Sequence, residues 1–379
     1  MARSLHLVRE VKAYAKLGAN YWEIPVLDGL SFSQATNITE VSVAEMSDAT
    51  GTSRRGRLGF NDSLNAAEWS FSTYAQPFKS QNGSGSGHHA AEEILWALMA
   101  GAVSTDYTVN SASADLAGSW GDVISVSSAN MVVDFLSSDK LEFADASILF
   151  QFPGNGAGAA DVWYEISGAV VNEASVDFDL DGVTTINWSG FGDLISEISA
   201  PTVSGAVTEG LDQTGTFIRN RLTQLALQPS DTSINSGSAY FLTLTGGNVT
   251  ITNNIEFITP SSLNVVNRPL GSVNGTRSVT GSFTCYLDKE AGANADASAE
   301  LFKDIIGAST QVQNQFDLTF QVGGTTATPR VEFNCPQAML EIPAHSIDDV
   351  VSVEVNFHGL PTGIGTADEL TVTYVGPTI

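Results

Sequence analysis

The stretch from Val162 to Phe191 returns as the stretch from Val331 to Leu360, and no gap is needed to lay one on the other. Val162 falls on Val331, Tyr164 on Phe333, Ala169 on Ala338, Val170 on Met339 and Val171 on Leu340. Further on, Asp179 falls on Asp348, Asn187 on Asn356, Trp188 on Phe357 and Gly190 on Gly359. Other blocks repeat in the same order. Ile148, Phe150, Gln151 and Phe152 echo Leu318, Phe320, Gln321 and Val322; Ser70-Phe71-Ser72-x-Tyr74 echoes Ser282-Phe283-Thr284-x-Tyr286; Asn37-Ile38 echoes Asn254-Ile255. Ordered self-similarity of this kind marks a duplicated domain. The chain therefore reads as two tandem domains, residues 1–200 and 201–379, joined by a Gly/Thr/Ser/Pro-rich linker near 200–215.

Most of the repeat has the texture of strand: Val, Ile, Thr, Phe and Tyr broken by Gly, Asn, Asp and Pro. Val351, Val353, Val355 and Phe357 alternate with polar residues, as a strand with one buried face does. Leu5 to Lys16 fits either a strand or an amphipathic helix, and its counterpart Phe217 to Leu227 favours strand. Two helices stand out. Ala91 to Ala102 puts Ile94, Leu95, Leu98 and Met99 on one stripe, and Ser298 to Ala308 does the same with Leu301, Phe302, Ile305 and Ile306. The fold class expected is mainly β: two β-sandwich or open-barrel domains, each flanked by one α-helix. The first domain also carries an insertion, about 104–140, that its twin lacks. It is rich in Ser, Ala and Asp and is expected at the surface.

With 42 acidic against 16 basic residues the formal net charge is −26. A chain so acidic repels nucleic acid and anionic membrane, and no apolar run is long enough to span a bilayer. Met1 to Ala19 holds five charged side chains and no continuous apolar core, so it does not read as a secretory signal. The two cysteines, Cys285 and Cys335, fall opposite Thr73 and Ile166 of the first half. They read as buried thiols of a reducing compartment.

Candidate chemistry is sparse. Asp177, Asp179, Asp181 and Gly182 open like a calcium loop, yet Trp188 stands where the bidentate Glu belongs, so an acidic turn is expected. Gly83, Gly85 and Gly87 precede a helix without a phosphate-binding Lys. His88, His89, Glu92 and Glu93 have no counterpart in the second half and read as solvated residues at a helix start rather than a metal cluster. No catalytic, cofactor-binding or metal motif emerges. The uneven feature is basic: Arg54, Arg55 and Arg57 sit in one long loop, Arg268 and Arg277 in its counterpart.

The run Phe60-Asn-Asp-Ser-Leu-Asn-Ala-Ala-Glu-Trp-Ser-Phe-Ser-Thr-Tyr74 resembles the tail tube proteins of long-tailed siphophages of the T-five type. Ser4-Leu-x-Leu-Val-Arg9, Asn187-Trp-Ser-Gly190, the stretch Gly247 to Pro260 and Glu300-Leu-Phe-Lys-Asp-Ile305 resemble the same family, and the likeness covers nearly the whole chain apart from the insertion. It implies a structural virion protein, not an enzyme and without cofactors. Such a protein forms homotrimeric, pseudo-hexameric rings that stack into a hollow tail assembled in the host cytoplasm. DNA crosses the lumen without specific binding, and the tape measure, baseplate or tail-tip and terminator proteins are further partners. On that reading Arg54, Arg55, Arg57, Arg268 and Arg277 are assembly contacts of an otherwise acidic subunit. A secreted β-sandwich adhesin or carbohydrate-binding module predicts a signal peptide and an aromatic groove, neither of which is seen. Another tube-like baseplate or tail-completion protein remains an alternative.

Overall fold

The computed structural model describes residues 10–41, 50, 58–79, 87–108, 120–135, 143, 146–154, 160–203, 214–231, 234–258, 269, 271–289, 298–307, 315–324, 329–342, 344–347 and 351–377. These residues are mainly β, in open sheets, with two α-helices. In the first half β1 (Lys12–Leu17) and β2 (Asn20–Ile24) form a hairpin, and β1 also pairs with β9 (Ala146–Phe152). β9 pairs with the start of the long strand β10 (Val162–Phe178), whose other edge takes β12 (Leu194–Ile198). Between Ile166 and Ala169 the strand bulges, with Gly168 at φ +57°, and a bulge of this kind bends a strand out of its sheet. Beyond it β10 pairs with β11 (Thr185–Gly192), β11 with β4 (Leu58–Tyr74), and β4 with β3 (Ser31–Val41).

The second half repeats these pairings. β13 (Gln224–Pro229) pairs with β14 (Tyr240–Phe241) and with β19 (Gln315–Val322); β19 pairs with β20 (Arg330–Leu340), and β20 takes β23 (Thr371–Val375) on its far edge. The end of β20 and β21 (Ala344–Ile347) flank β22 (Val351–Gly359), which pairs with β18 (Ser278–Tyr286), and β18 with β15 (Leu244–Thr252). Register coincides too. Val162 opposes Phe152 as Val331 opposes Val322, and the bulge follows Ile166 in β10 and Cys335 in β20. Ser31 opposes Ser70 as Asn248 opposes Ser282.

One expectation needs correcting. Phe71 opposes Trp188, but Phe283 opposes Val355 rather than Phe357, because the turn before β22 is two residues shorter than the turn before β11. The register counterpart of Gly190 is therefore Phe357. This reveals an exchange. In the first half the ring of Trp69 covers Gly190, where an added Cβ would lie 2.5 Å from Cζ2. In the second half Gly281 occupies the Trp69 position and Phe357 the Gly190 position, with the ring 2.6 Å from a Cβ on Gly281. Each cross-strand pair holds one aromatic and one glycine, with the partners swapped.

The halves are joined by backbone pairing. The end of β10 runs antiparallel to β15, from Glu173 opposite Thr252 to Phe178 opposite Gly247. The result is one continuous sheet, β3-β4-β11-β10-β15-β18-β22-β21. Helix α1 (Glu93–Met99), entered through the hairpin β5 (Pro77–Lys79) and β6 (His88–Ala90), lies wholly buried. Its Trp96 meets Trp188 edge-on at 4.9 Å, and its indole N–H donates to the Tyr374 hydroxyl at 2.7 Å. Helix α2 (Ser298–Gly307) buries Leu301, Phe302 and Ile305 while Ile306, expected on the same stripe, is exposed.

Two further expectations change. Within Phe217 to Leu227 the chain makes a 3₁₀ turn at Asn220–Leu222 before β13 begins. The insertion is no surface appendage: among its described residues Tyr107, Trp120, Val123, Ile124, Met131, Val133 and Phe135 are buried. Its hairpin, β7 (Ile124–Val126) and β8 (Met131–Val133), pairs with β23 and so extends a sheet of the opposite half. Ser/Ala/Asp content concealed this because the few apolar residues are what pack. Overpacking a closed contact costs about 1–3 kcal/mol. Gly190→Ala and Gly281→Ala should each lose that much in urea denaturation, whereas Gly363→Ala, whose Cβ would meet nothing nearer than 3.8 Å, should stay within about 0.5 kcal/mol of the parent.

Candidate assembly surface

Alternate residues of a strand face opposite ways, so the continuous sheet has two unlike faces. One face is core: Phe71, Trp188, Ala174, Ile251 and Val279 form one buried row across both halves. The other is a field of short polar side chains. Ser72, Asn187, Ser175, Thr250, Thr280 and His358 form one row; Tyr74, Thr185, Asp177, Asn248, Ser282 and Asn356 form the next. Ser72 donates to Asn187 Oδ1 at 2.7 Å, and the hydroxyls of Ser175 and Thr250 meet at 3.1 Å across the junction between halves. None of β3, β4, β10, β11, β15, β18 or β22 contains a Lys or Arg. The charges on this face are the carboxylates Glu68, Glu173, Asp177 and Glu354, with His358 as the one basic type.

Both ends of the sheet are open. Among the described residues β3 pairs only with β4, and β21 only with β22. An open edge presents unpaired N–H and C=O groups to another strand. Past Thr36, β3 and β4 continue as a ribbon whose tip exposes large apolar side chains: Ile38 (63%), Leu58 (70%) and Phe60 (54%). Its counterpart in the second half is the hairpin β16 (Ile255–Ile258) and β17 (Gly271–Asn274), in which Ile255 opposes Asn274 as Ile38 opposes Asn61. That second ribbon is docked. Ile255 is buried with Val170 and Phe143, Phe257 lies 6.0 Å from the Phe191 ring, and the Ile255 N–H donates to Asn172 Oδ1 at 2.8 Å.

Of the five arginines singled out from sequence, Arg54, Arg55, Arg57 and Arg268 lie outside the described residues. Arg277 is internal. Its Nη1 is 3.7 Å from Glu369 Oε2, its Nε donates to Asn253 Oδ1 at 3.3 Å, and its guanidinium lies 4.6 Å over the Phe135 ring. Burial holds its pKa below the usual guanidinium range, with Glu369 opposing. In this position Arg277 ties the insertion to the second half.

Comparison with known proteins now bears on this surface. The family model for phage tail tube proteins matches residues 39–359. The tail tube protein pb6 of Escherichia phage T5 is 32% identical, in an alignment covering 97% of this chain and 75% of the relative. The chain belongs to the phage tail tube proteins. It is thus a structural component of the phage tail, as the Phe60 to Tyr74 run implied.

The packing around α1 accounts for a polar cluster that sequence reasoning placed in solvent. His88, His89, Glu92 and Glu93 are all buried. They are enclosed by β5, the insertion and the segment after β23, elements remote in sequence. His89 Nδ1 lies 2.8 Å from Glu93 Oε2, Trp120 donates its indole N–H to Glu93 Oε1 at 3.3 Å, and the Gly376 N–H donates to His88 Nδ1 at 2.9 Å. The Gln76 N–H donates to Glu92 Oε2 at 3.2 Å. Among the described residues no group of three or more His, Cys, Asp or Glu is placed to hold a metal ion. The cluster is a structural anchor for α1. Its sequence signal was only that four polar residues adjoin a helix apolar on every side, which is the pattern of a fully enclosed helix.

Burial pushes the Glu92 carboxyl from an ordinary 4.5 up to about 7. The folded protein thus holds a proton that the unfolded chain releases. That contribution to stability is full below pH 4.5 and is lost as pH rises through about 7. Glu92→Gln should flatten this slope and stabilise the unassembled protein at pH 8 by up to about 3 kcal/mol. Urea denaturation at pH 5 and pH 8 reads the difference.

Proposed function

We propose that this tail tube protein polymerises as trimeric, pseudo-hexameric rings, and that the rings stack into the hollow tail through which DNA passes. The observation that carries the reading is the pairing of β10 with β15. It joins two halves whose strands share order, register and bulge, which supports a duplication into domains 1–200 and 201–379. Repeating that join between chains needs the counterpart of the end of β10, which is β21, and the counterpart of β15, which is β3. These are the two open edges of the sheet. Where Asp177 opposes Asn248 within the chain, Ser346 of one copy opposes Ser31 of the next. Closed point-group symmetry follows when such a head-to-tail contact returns on itself.

The polar face of the continuous sheet is the lumen wall in this proposal. Cations that neutralise phosphates create salt-dependent affinity for DNA, and a wall of hydroxyls, amides and carboxylates, with His358 as its imidazole and no Lys or Arg on its strands, offers little of it. Arg54, Arg55, Arg57 and Arg268 serve contacts between subunits or rings, while Arg277 serves the interior of the chain. The tape measure, baseplate or tail-tip and terminator proteins complete the set of partners, and assembly takes place in the host cytoplasm.

Negative-stain electron microscopy of the concentrated protein tests the reading. Rings or tubes with three subunits per turn are expected. Protein that stays monomeric at every concentration would count against it. In assembled tails, Thr250→Lys with Ser72→Lys should slow DNA exit, the more so the lower the ionic strength.

A further inference from the structure

We infer that the β3–β4 ribbon of one copy clasps the neighbouring copy, seating Ile38 on Met339 and Glu40 against His358. This rests on the ring reading and adds to it a second lateral contact, made by side chains rather than backbone.

The template lies within the chain. The β16–β17 ribbon continues directly from β15, the strand that joins β10. It folds back so that Ile255 covers Val170 and Phe257 meets Phe191. Register gives each position its counterpart. Ile255 and Phe257 correspond to Ile38 and Glu40 on β3. Val170 and Phe191 oppose each other in β10 and β11 as Met339 and His358 oppose each other in β20 and β22. The apolar residues of the transposed contact reach solvent in the lone chain. Ile38 is exposed, Met339 is 45% exposed and the His358 side chain is half exposed.

The exchange of residue types is complementary. The pair that meets within the chain is aromatic on both sides; the pair meeting between chains is Glu40 and His358, a carboxylate and an imidazole. The polar anchor transposes as well. Asn172 Oδ1, which accepts the Ile255 N–H, has Glu341 as its counterpart. That carboxylate stands at the surface, 3.1 Å from His358 Nε2 and accepting from Asn356 Nδ2 at 2.9 Å, placed to accept the Ile38 N–H of the neighbour. An apolar seat, a facing pair (aromatic within the chain, carboxylate and imidazole between chains) and an N–H acceptor therefore occupy matching positions. A second copy of this chain is the occupant to which all three point.

The test uses the full chain with paired cysteines and a short bis-maleimide crosslinker. The native Cys285 and Cys335 are fully buried and stay silent. Ile38→Cys/Met339→Cys should yield covalent trimers from assembled material, and neither single variant should. Ser31→Cys/Ser346→Cys reports the backbone join separately. If Ser31→Cys/Ser346→Cys crosslinks while Ile38→Cys/Met339→Cys does not, the clasp is wrong and the ring reading survives. If neither pair crosslinks and no rings form, both fall together. Ile38→Asp, at a site exposed in the monomer, gives an independent readout. Its melting temperature should match the parent, and its threshold concentration for assembly should rise about tenfold. An unchanged threshold would overturn the clasp.

Discussion

Six consecutive residue pairs between β10 and β15 hold the two halves of this protein in one sheet. Backbone hydrogen bonds do not read side chains, so this junction tolerates the differences between the halves. It also fixes phase. Once Asp177 stands opposite Asn248, every row of the sheet on either side is set, because side chains alternate with a strict period of two. The division into a packed face and a polar face then runs unbroken from β3 to β22. A uniform polar face over two dissimilar halves is a consequence of register, with composition following it.

Within that frame the packing adapts locally. The Trp69–Gly190 contact of the first half reappears as Gly281–Phe357 with the partners exchanged. A ring needs a bare backbone opposite it, and either strand can supply the ring as long as the other supplies the glycine. The pair conserves volume where neither position conserves identity, as a close-packed interior requires. The ribbons show the same economy at larger scale: one is docked within the chain, and the other carries the same geometry with different chemistry.

Much of this was legible beforehand. The repeated blocks, both helices and the Ser-Phe-x-x-Tyr strands fall where sequence placed them, since apolar periodicity is a local property. The two-residue slip of β22 was invisible for a physical reason: a shift by the strand period leaves apolar over apolar and polar over polar. The burial of His88, His89, Glu92 and Glu93 was equally hidden. It is imposed by Trp120 and by Tyr374 to Gly376, and no local pattern around residue 90 contains those elements. Arg277 misled because a cation between Thr276 and Ser278, just after Gly275, looks like a loop residue until Glu369 and Phe135 are brought to it. The insertion misled through its average composition, when a handful of apolar residues decided its place.

The attachment of β8 to β23 has a consequence for the timing of folding. Residues 131–133 cannot complete their sheet until residues 371–375 have been synthesised, and α1 likewise waits for Tyr374 to receive the Trp96 N–H. Contacts of such long sequence separation are the slow ones to form, so the first half remains incomplete while the ribosome is still making the second. Until β15 is made the end of β10 also lacks the strand that pairs with it in the finished fold. Completion of the fold thereby depends on β23, and a chain cut before residue 371 would leave β8 and the Trp96 N–H without the partners they have in the whole protein.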